Sequence, residues 1–424
     1  MSQLPRYESY KDSGVQWLGE IPSHWNVKQL KFAVTCNDEA LGENTELDYE
    51  ILYVDISSVS LTDGIKHKEE LLFENSPSRA RRVVKSGDVL VSTVRTYLKA
   101  ITYVESAEGN LIASTGFAVL RPSENFDSKF IGYWIQSEGM VGNIVANSVG
   151  VSYPAINSTD LVRLPIVELP LSEQKFIADF LDKRLAQVDA LIAKQETLLE
   201  KLAEQRVALI SHAVTKGLNP DVEMKTSGVE WLGKVPKSWD IANLRYFISC
   251  NSGDALESSR ILRDADEFNN IPVIGGNGFL GFTENSNYKK ECIAVGRVGA
   301  LCGNVHFINY ESWINDNALL IKLISDKFNI NYLVYLLKSR NLNELASKTA
   351  QPLLTGTQVK AEKVCIPLMS EQLEIVRYLD TNLETLDKLL ETVNKTTQTL
   401  REYRSTLITQ VVTGKIDVRN LKVN

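Results

Sequence analysis

Cysteine and histidine are scarce in this chain, with five and four among 424 residues. Cys36, Cys250, Cys292, Cys302 and Cys365 are odd in number and form no CxxC pair. That excludes a disulfide framework and fits a reduced cytoplasm. His24, His67, His212 and His306 show no metal-ligand spacing. No run of about 18 apolar residues occurs, which excludes a membrane-spanning helix by pattern. The leading MSQLPRYESYKD has no apolar stretch of the kind a secretory signal needs. There is no Walker A sequence, no NPPF or DPPY motif and no nuclease-like carboxylate–lysine cluster. A non-catalytic chain is therefore expected. Net positive charge is also missing: the formal value is −7, which argues against holding DNA by bulk electrostatics alone.

What is present is repetition. SGVQWLGEIPSHW begins at Ser13 and SGVEWLGKVPKSW at Ser227. PLSEQKFIADFLD begins at Pro170 and PLMSEQLEIVRYLD at Pro367. Trp17, Pro22, Trp25 and Leu30 match Trp231, Pro236, Trp239 and Leu244 at an offset of 214. Glu173, Leu181, Asp182, Asp189, Leu209 and Thr215 match Glu371, Leu379, Asp380, Asp387, Leu407 and Thr413 at an offset of 198. The difference of 16 falls in the variable stretch between box and helix, where loops tolerate insertion. Two copies of one unit offer two similar surfaces, a geometry suited to duplex DNA read at two half-sites.

The segments from Pro170 and Pro367 read as long helices, each about 66 Å at ~1.5 Å per residue. Ser172 is a suitable N-cap, and Glu173 with Gln174 supplies first-turn polarity. Gly217 and Gly414 end the helices. A stripe spaced alternately 4 and 3 runs Ile177, Leu181, Arg184, Val188, Leu191 and on to His212. Its counterpart runs Ile375, Leu379, Asn382, Leu386 and on to Gln410. Arg184/Asn382 and His212/Gln410 interrupt both stripes at equivalent places and are expected to set register.

The variable stretches match weakly, as mixed α/β copies of one fold. FDSKFIGYWIQS from Phe126 aligns with FNINYLVYLLKS from Phe328, and Pro154 with Pro352. Between Arg79 and Lys99, six basic residues face Asp88 alone: Arg79, Arg81, Arg82, Lys85, Arg95 and Lys99. These could meet phosphates or guanine edges. Arg95 and Arg297 stand out because each copy places an arginine just after a strand. Lys289, Lys290 and Lys360 suit phosphate contacts. Ser152, Tyr153, Asn157 and Gln351 lie in polar loops around the paired prolines and could bond bases or phosphates. Gly276, Gly278 and Gly281 make a GxGxxG, but FTENSNYKK after it is a poor helix start, so a glycine-rich turn is expected. The paired tryptophans read as anchors clamping each variable domain to the helix ends.

The tryptophan boxes, the P-L-x-E-Q type helix starts and the helix ends AVTKG and VVTGK resemble the specificity subunit of type I restriction–modification systems. IGGNGFLGF and IAVGRVGALCGNV are similar to that family's target recognition domains. The resemblance covers essentially the whole chain. It implies an α+β protein: two mixed α/β target recognition domains, residues 1–169 and 218–366, with a central long helix, 170–217, and a C-terminal long helix and tail, 367–424, whose helices form an antiparallel spacer. The boxes would span 13–32 and 227–246. It implies that each domain reads half of a bipartite, asymmetric DNA sequence. Two methyltransferase subunits would dock on the helices, and restriction–translocase subunits would complete the enzyme. S-adenosylmethionine, for adenine-N6 methylation, would belong to the methyltransferase, leaving this chain without a cofactor. Two other readings remain at this stage: a fused methyltransferase or nuclease, and a stand-alone tandem DNA-binding regulator.

Overall fold

The computed structural model describes residues 5–347 and 352–421. The chain forms two compact units, Met1–Glu196 with Lys395–Asn424, and Thr197–Asn394. Each contains one copy of the repeat and part of both long helices.

In the first unit a four-stranded antiparallel sheet runs in the order Ile101–Tyr103, Val89–Ser92, Phe117–Pro122, Val34–Cys36. Val89–Ser92 is buried at every position, as expected of a central strand covered on both faces. A second sheet runs Glu69–Leu72, Glu50–Val54, Leu111–Ser114, Ala80–Val83, with one parallel step, between Glu50–Val54 and Leu111–Ser114. Helix Ser128–Gln136 packs on the first sheet, its N-terminus capped by Asp127, whose carboxylate accepts from the Phe130 amide at 2.9 Å.

The second unit repeats this order. One sheet runs Val305–Ile308, Cys292–Gly296, Ala318–Leu323, Ile248–Ser252. The other runs Gly278–Thr283, Ile271–Gly275, Trp313–Ile314, again with the parallel step, between Ile271–Gly275 and Trp313–Ile314. The counterpart of strand Ala80–Val83 is reduced to a single bridge, Tyr288 to Ser312. Asn329 caps helix Ile330–Ser339 as Asp127 caps its equivalent.

Each box is held by a pair of helix ends. The indole of Trp25 is fully buried and donates to Glu173 at 3.2 Å; that of Trp239 donates to Glu371 at 2.8 Å. The next residue of the motif, Gln174, is buried and accepts from the Asp127 amide at 2.9 Å while donating to the Leu169 and Asn125 carbonyls. Gln372 makes the same three bonds, to Asn329, Pro367 and Lys327. The E-Q pair thus joins box to helix and helix to sheet, a role beyond first-turn polarity. At the other side, Lys415 donates to the carbonyls of Leu18 and Glu20, and Lys216 to those of Leu232 and Lys234.

The long helices span Leu171–Lys216 and Met369–Val412. Their buried stripe corrects the expected one. It runs Leu181, Leu185, Val188, Ile192, Gln195, Leu199, Leu202, Arg206, Leu209, Ala213, and Leu379, Leu383, Leu386, Leu390, Val393, Thr397, Leu400, Arg404, Leu407, Val411 in the second helix. Arg184, Leu191, Leu198, His212 and Gln410 are exposed, and Asn382 is half-buried. Both stripes keep the 4–3 rhythm and share every second member. Leu191/Ile192 and Leu198/Leu199 offer equal apolar surface either way, but Leu185 and Ala213 are buried where Arg184 and His212 are exposed, and these positions decide between the stripes. The polar position that both stripes share is instead Arg206, paired with Asp387 in the second unit, and its counterpart Arg404, 2.9 Å from Asp189 in the first. Arg401 with Glu196 adds a second pair beside Arg404, and the order of partners is antiparallel.

Candidate nucleic-acid interface

In both copies the loop leaving the central strand is zipped to the proline loop. In the first, Thr93 N donates to Gly116 O, Arg95 N to Pro154 O and Ile156 N to Thr93 O, at 2.8, 2.7 and 2.8 Å. In the second, Arg297 N donates to Asn317 O, Gly299 N to Pro352 O and Leu354 N to Arg297 O, at 2.9, 3.0 and 2.9 Å. The bridges Val94–Ala155 and Val298–Leu353 complete the match. This register overturns the pairing of Arg95 with Arg297. Arg297 is the counterpart of Thr93, and its guanidinium turns back to Ser252 Oγ at 3.0 Å and the Asp316 carbonyl at 3.4 Å. The two-residue shift is recorded in the backbone ladder and not in the spacing of the arginines.

The true counterparts of Arg95 and Lys99 are Gly299 and Gly303. All four have positive φ: 50° and 53° for Arg95 and Lys99, 79° and 91° for the glycines. A side chain in this region costs about 1 kcal/mol, which glycine avoids. The second copy therefore has the relaxed residue and the first retains two strained basic ones. Both are exposed, and neither forms an ion pair with any of the described residues. The Arg95 guanidinium lies over the Tyr153 ring, 4.7 Å from its centroid.

Three other basic residues of the cluster, Arg79, Arg81 and Lys85, are engaged within the fold. Arg79 bonds Tyr53 and pairs with Asp55 at 3.1 Å. Arg81 lies over Phe73 and donates to the Ala80 carbonyl. Arg82 has a buried Nε with no hydrogen-bond partner among the described residues. Lys85 and Arg121 share Glu39, whose carboxyl is held below the usual range by both. Even so, Thr115 N donates to the Arg79 carbonyl, so Arg79 and the Arg95 loop meet the same Thr115–Gly116 turn.

Ser152 and Tyr153 are exposed beside Arg95, and Asn157 is exposed at the start of helix Ser158–Leu161. Lys289 pairs with Glu311 at 3.0 Å, and Lys290 is exposed; both follow the Tyr288 bridge, at the place of strand Ala80–Val83. Lys360 is half-buried in helix Gly356–Ala361, near Cys250, whose thiol burial pushes up to about 12. Gln351 lies outside the described residues. The structure thus brings Arg95, Lys99, Ser152 and Tyr153 together, and adds four neighbours that the search for polar residues passed over: Tyr97, Leu98, Val149 and Val151, all exposed.

The glycines of GxGxxG lie in a hairpin: Gly276 is in the turn after strand Ile271–Gly275, Gly278, at φ 90°, opens strand Gly278–Thr283, Gly281 lies within that strand, and no helix follows. Among the described residues no group of three or more His, Cys, Asp or Glu could hold a metal ion, and no helix is long and apolar enough to cross a membrane.

The fold and its two loop sets define a duplicated α+β protein with a constant frame and divergent edges. The family model for the type I restriction modification DNA specificity domain matches residues 58–201 and again 236–400, and the chain belongs to that family. It is 24% identical to the putative type I restriction enzyme MjaX specificity subunit of Methanocaldococcus jannaschii, over 98% of this chain and 99% of that one. It is 30% identical to the EcoprrI specificity subunit of Escherichia coli over 129 residues, about a third of either chain: 30% of this one and 32% of that. Among solved structures, a chain from work on complex assembly and conformational transition of the type I R-M system superposes with a TM-score of 0.76. It shares 22% identity and covers 92% of this chain and 98% of its own. The HsdS subunit from Thermoanaerobacter tengcongensis gives 0.53 at 21% identity, covering 93% and 98%. These two likenesses show the fold.

Proposed function

We propose that the chain is the non-catalytic DNA-recognition subunit of a type I restriction–modification complex. Residues 1–169 and 218–366 each meet one half of a bipartite target on double-stranded DNA. The long helices of segments 170–217 and 367–424 seat two methyltransferase subunits, which carry S-adenosylmethionine, and restriction subunits join that assembly. The observation that carries this reading is the contrast between frame and edge. Sheet order, caps and box clamps are kept in both copies, while the strand-end loops hold Arg95 and Lys99 in one and Gly299 and Gly303 in the other. A frame kept constant under loops that differ suits two modules reading different sequences.

Long-read mapping of N6-methyladenine tests the reading, in a host carrying this gene with its adjacent methyltransferase gene. An asymmetric two-part motif is expected, lost when this gene is deleted. Methylation that persists without it, or methyl transfer to DNA by the purified chain alone, would falsify the assignment. Failure of the chain to form any complex with that methyltransferase favours a stand-alone regulator.

A further inference from the structure

We propose that the first copy carries an apolar wedge, tipped by Val151, that enters a base step of the DNA it holds. The inference rests on the reading that this face of the first copy meets DNA.

Two adjacent loops expose five apolar or aromatic side chains. Val151 is 102% exposed, Val149 81%, Tyr153 65%, Tyr97 51% and Leu98 50%. Single exposed apolar residues are ordinary, but a contiguous group marks a surface that something covers. The loops are bound to each other. Thr96 and Ser148 share a hydroxyl hydrogen bond of 2.7 Å, and Ser148 in turn donates to the Ile144 carbonyl. Val149 exchanges both backbone bonds with Ala155, at 2.8 and 3.0 Å, and Arg95 N bonds Pro154 O. Gly150 turns the tip at φ 117°, where a Cβ would stand 3.1 Å from the Tyr153 carbonyl. The tip is thus a fixed, bent projection rather than a free loop, and a side chain that parts two stacked base pairs must be backed by a stiff element.

Charge selects the occupant. The apolar tip sits with Arg95 and Lys99, both exposed and held in strained backbone where the second copy has glycine. Cations beside an apolar projection fit a phosphate backbone flanking an unstacked step, the arrangement in which apolar side chains kink DNA. A protein partner would be served by the apolar patch without two strained cations at its edge. In sequence, the second copy has Lys348-Thr349-Ala350-Gln351 where the first has Gly150-Val151-Ser152-Tyr153. By sequence the second copy has Thr349 at the place of Val151, so the distortion should be confined to one half of the target.

The test uses the full chain co-purified with its methyltransferase subunit. The duplex carries the motif found by methylation mapping, with 2-aminopurine placed in turn at each step outside the methylated adenines. Fluorescence reports unstacking and anisotropy reports binding. The wild type should give a several-fold rise at one step in one half only. Val151→Ala should abolish the rise and Val151→Leu should keep it. Binding with no rise at any step, or a rise that survives in Val151→Ala, overturns the wedge and leaves DNA recognition standing. Loss of the methyltransferase subunit from Val151→Ala marks the patch as a protein contact and overturns it too. No binding of the mapped duplex by the wild type removes the recognition reading and the wedge with it.

Discussion

At the scale of single residues, the internal repeat acts as its own control. Arg95 and Gly299 occupy one backbone position, as do Lys99 and Gly303, so the cost of the side chains can be read within one molecule. Replacing Arg95 or Lys99 with glycine relieves strain but frees the unfolded chain, and the two effects nearly offset. Stability by urea unfolding should then change by less than about 1 kcal/mol. Methylation mapping of the same variants should show one half of the motif blurred or weakened and the other unchanged. A glycine variant that is markedly less stable would show that the positive φ is not strained there. Much of this site was legible in sequence as residue type: Arg95, Lys99, Ser152 and Tyr153 were singled out and do lie together. What was not legible is availability. Arg79 and Lys85 look equally free on paper, but the fold pairs them with Asp55 and Glu39. Arg297 corresponds to Thr93 rather than Arg95 because its backbone hydrogen bonds, not its place after a strand, define its counterpart.

At the scale of elements, the helices were the plainest feature of the sequence and still yielded the wrong face. A 4–3 rhythm fixes period but not phase when a leucine or isoleucine lies next to each alternate position, as Leu191 and Ile192 or Leu198 and Leu199 do. Tertiary contact settles it: Leu185 packs in the first unit's core, whereas Arg184 is exposed. Leu185→Ala should therefore cost about 2–5 kcal/mol of the first unit's stability. Arg184→Ala should stay within about 0.5 kcal/mol of wild type, as surface changes do. Chemical denaturation of the two variants side by side checks the phase, and equal losses would restore the original stripe. The sheets were legible only in outline. The apolar runs at Phe117–Pro122 and Ala318–Leu323 suit strands, but the parallel step between Glu50–Val54 and Leu111–Ser114 joins segments about 60 residues apart, and no local pattern records that pairing.

At the scale of the whole chain, the repeat closes on itself. In the second copy, helix end and box are neighbours in sequence, with Lys216 reaching Leu232 and Lys234. In the first copy the same contact joins Lys415 to Leu18, 397 positions away. Leu407, Ile408, Val411, Val412, Ile416 and Val418 accordingly belong to the core that also holds Trp25 and Leu120. Burying such side chains is worth about 1.5–3 kcal/mol each, so six of them rival the 5–15 kcal/mol that holds a domain folded. Ending the chain at Asn394 should then unfold the first unit, although residues 1–169 are untouched. The second unit, Thr197–Asn394, keeps all of its own core. Hydrogen exchange on the truncated protein should show lost protection in strands Val89–Ser92 and Phe117–Pro122. Protection should persist in Cys292–Gly296 and Ala318–Leu323. Loss confined to the second unit would mean that the helix end serves the copy next to it in sequence. Loss in the first unit would show that order along the chain and order in the fold are offset by one helix, as the two pairs of lysine contacts require.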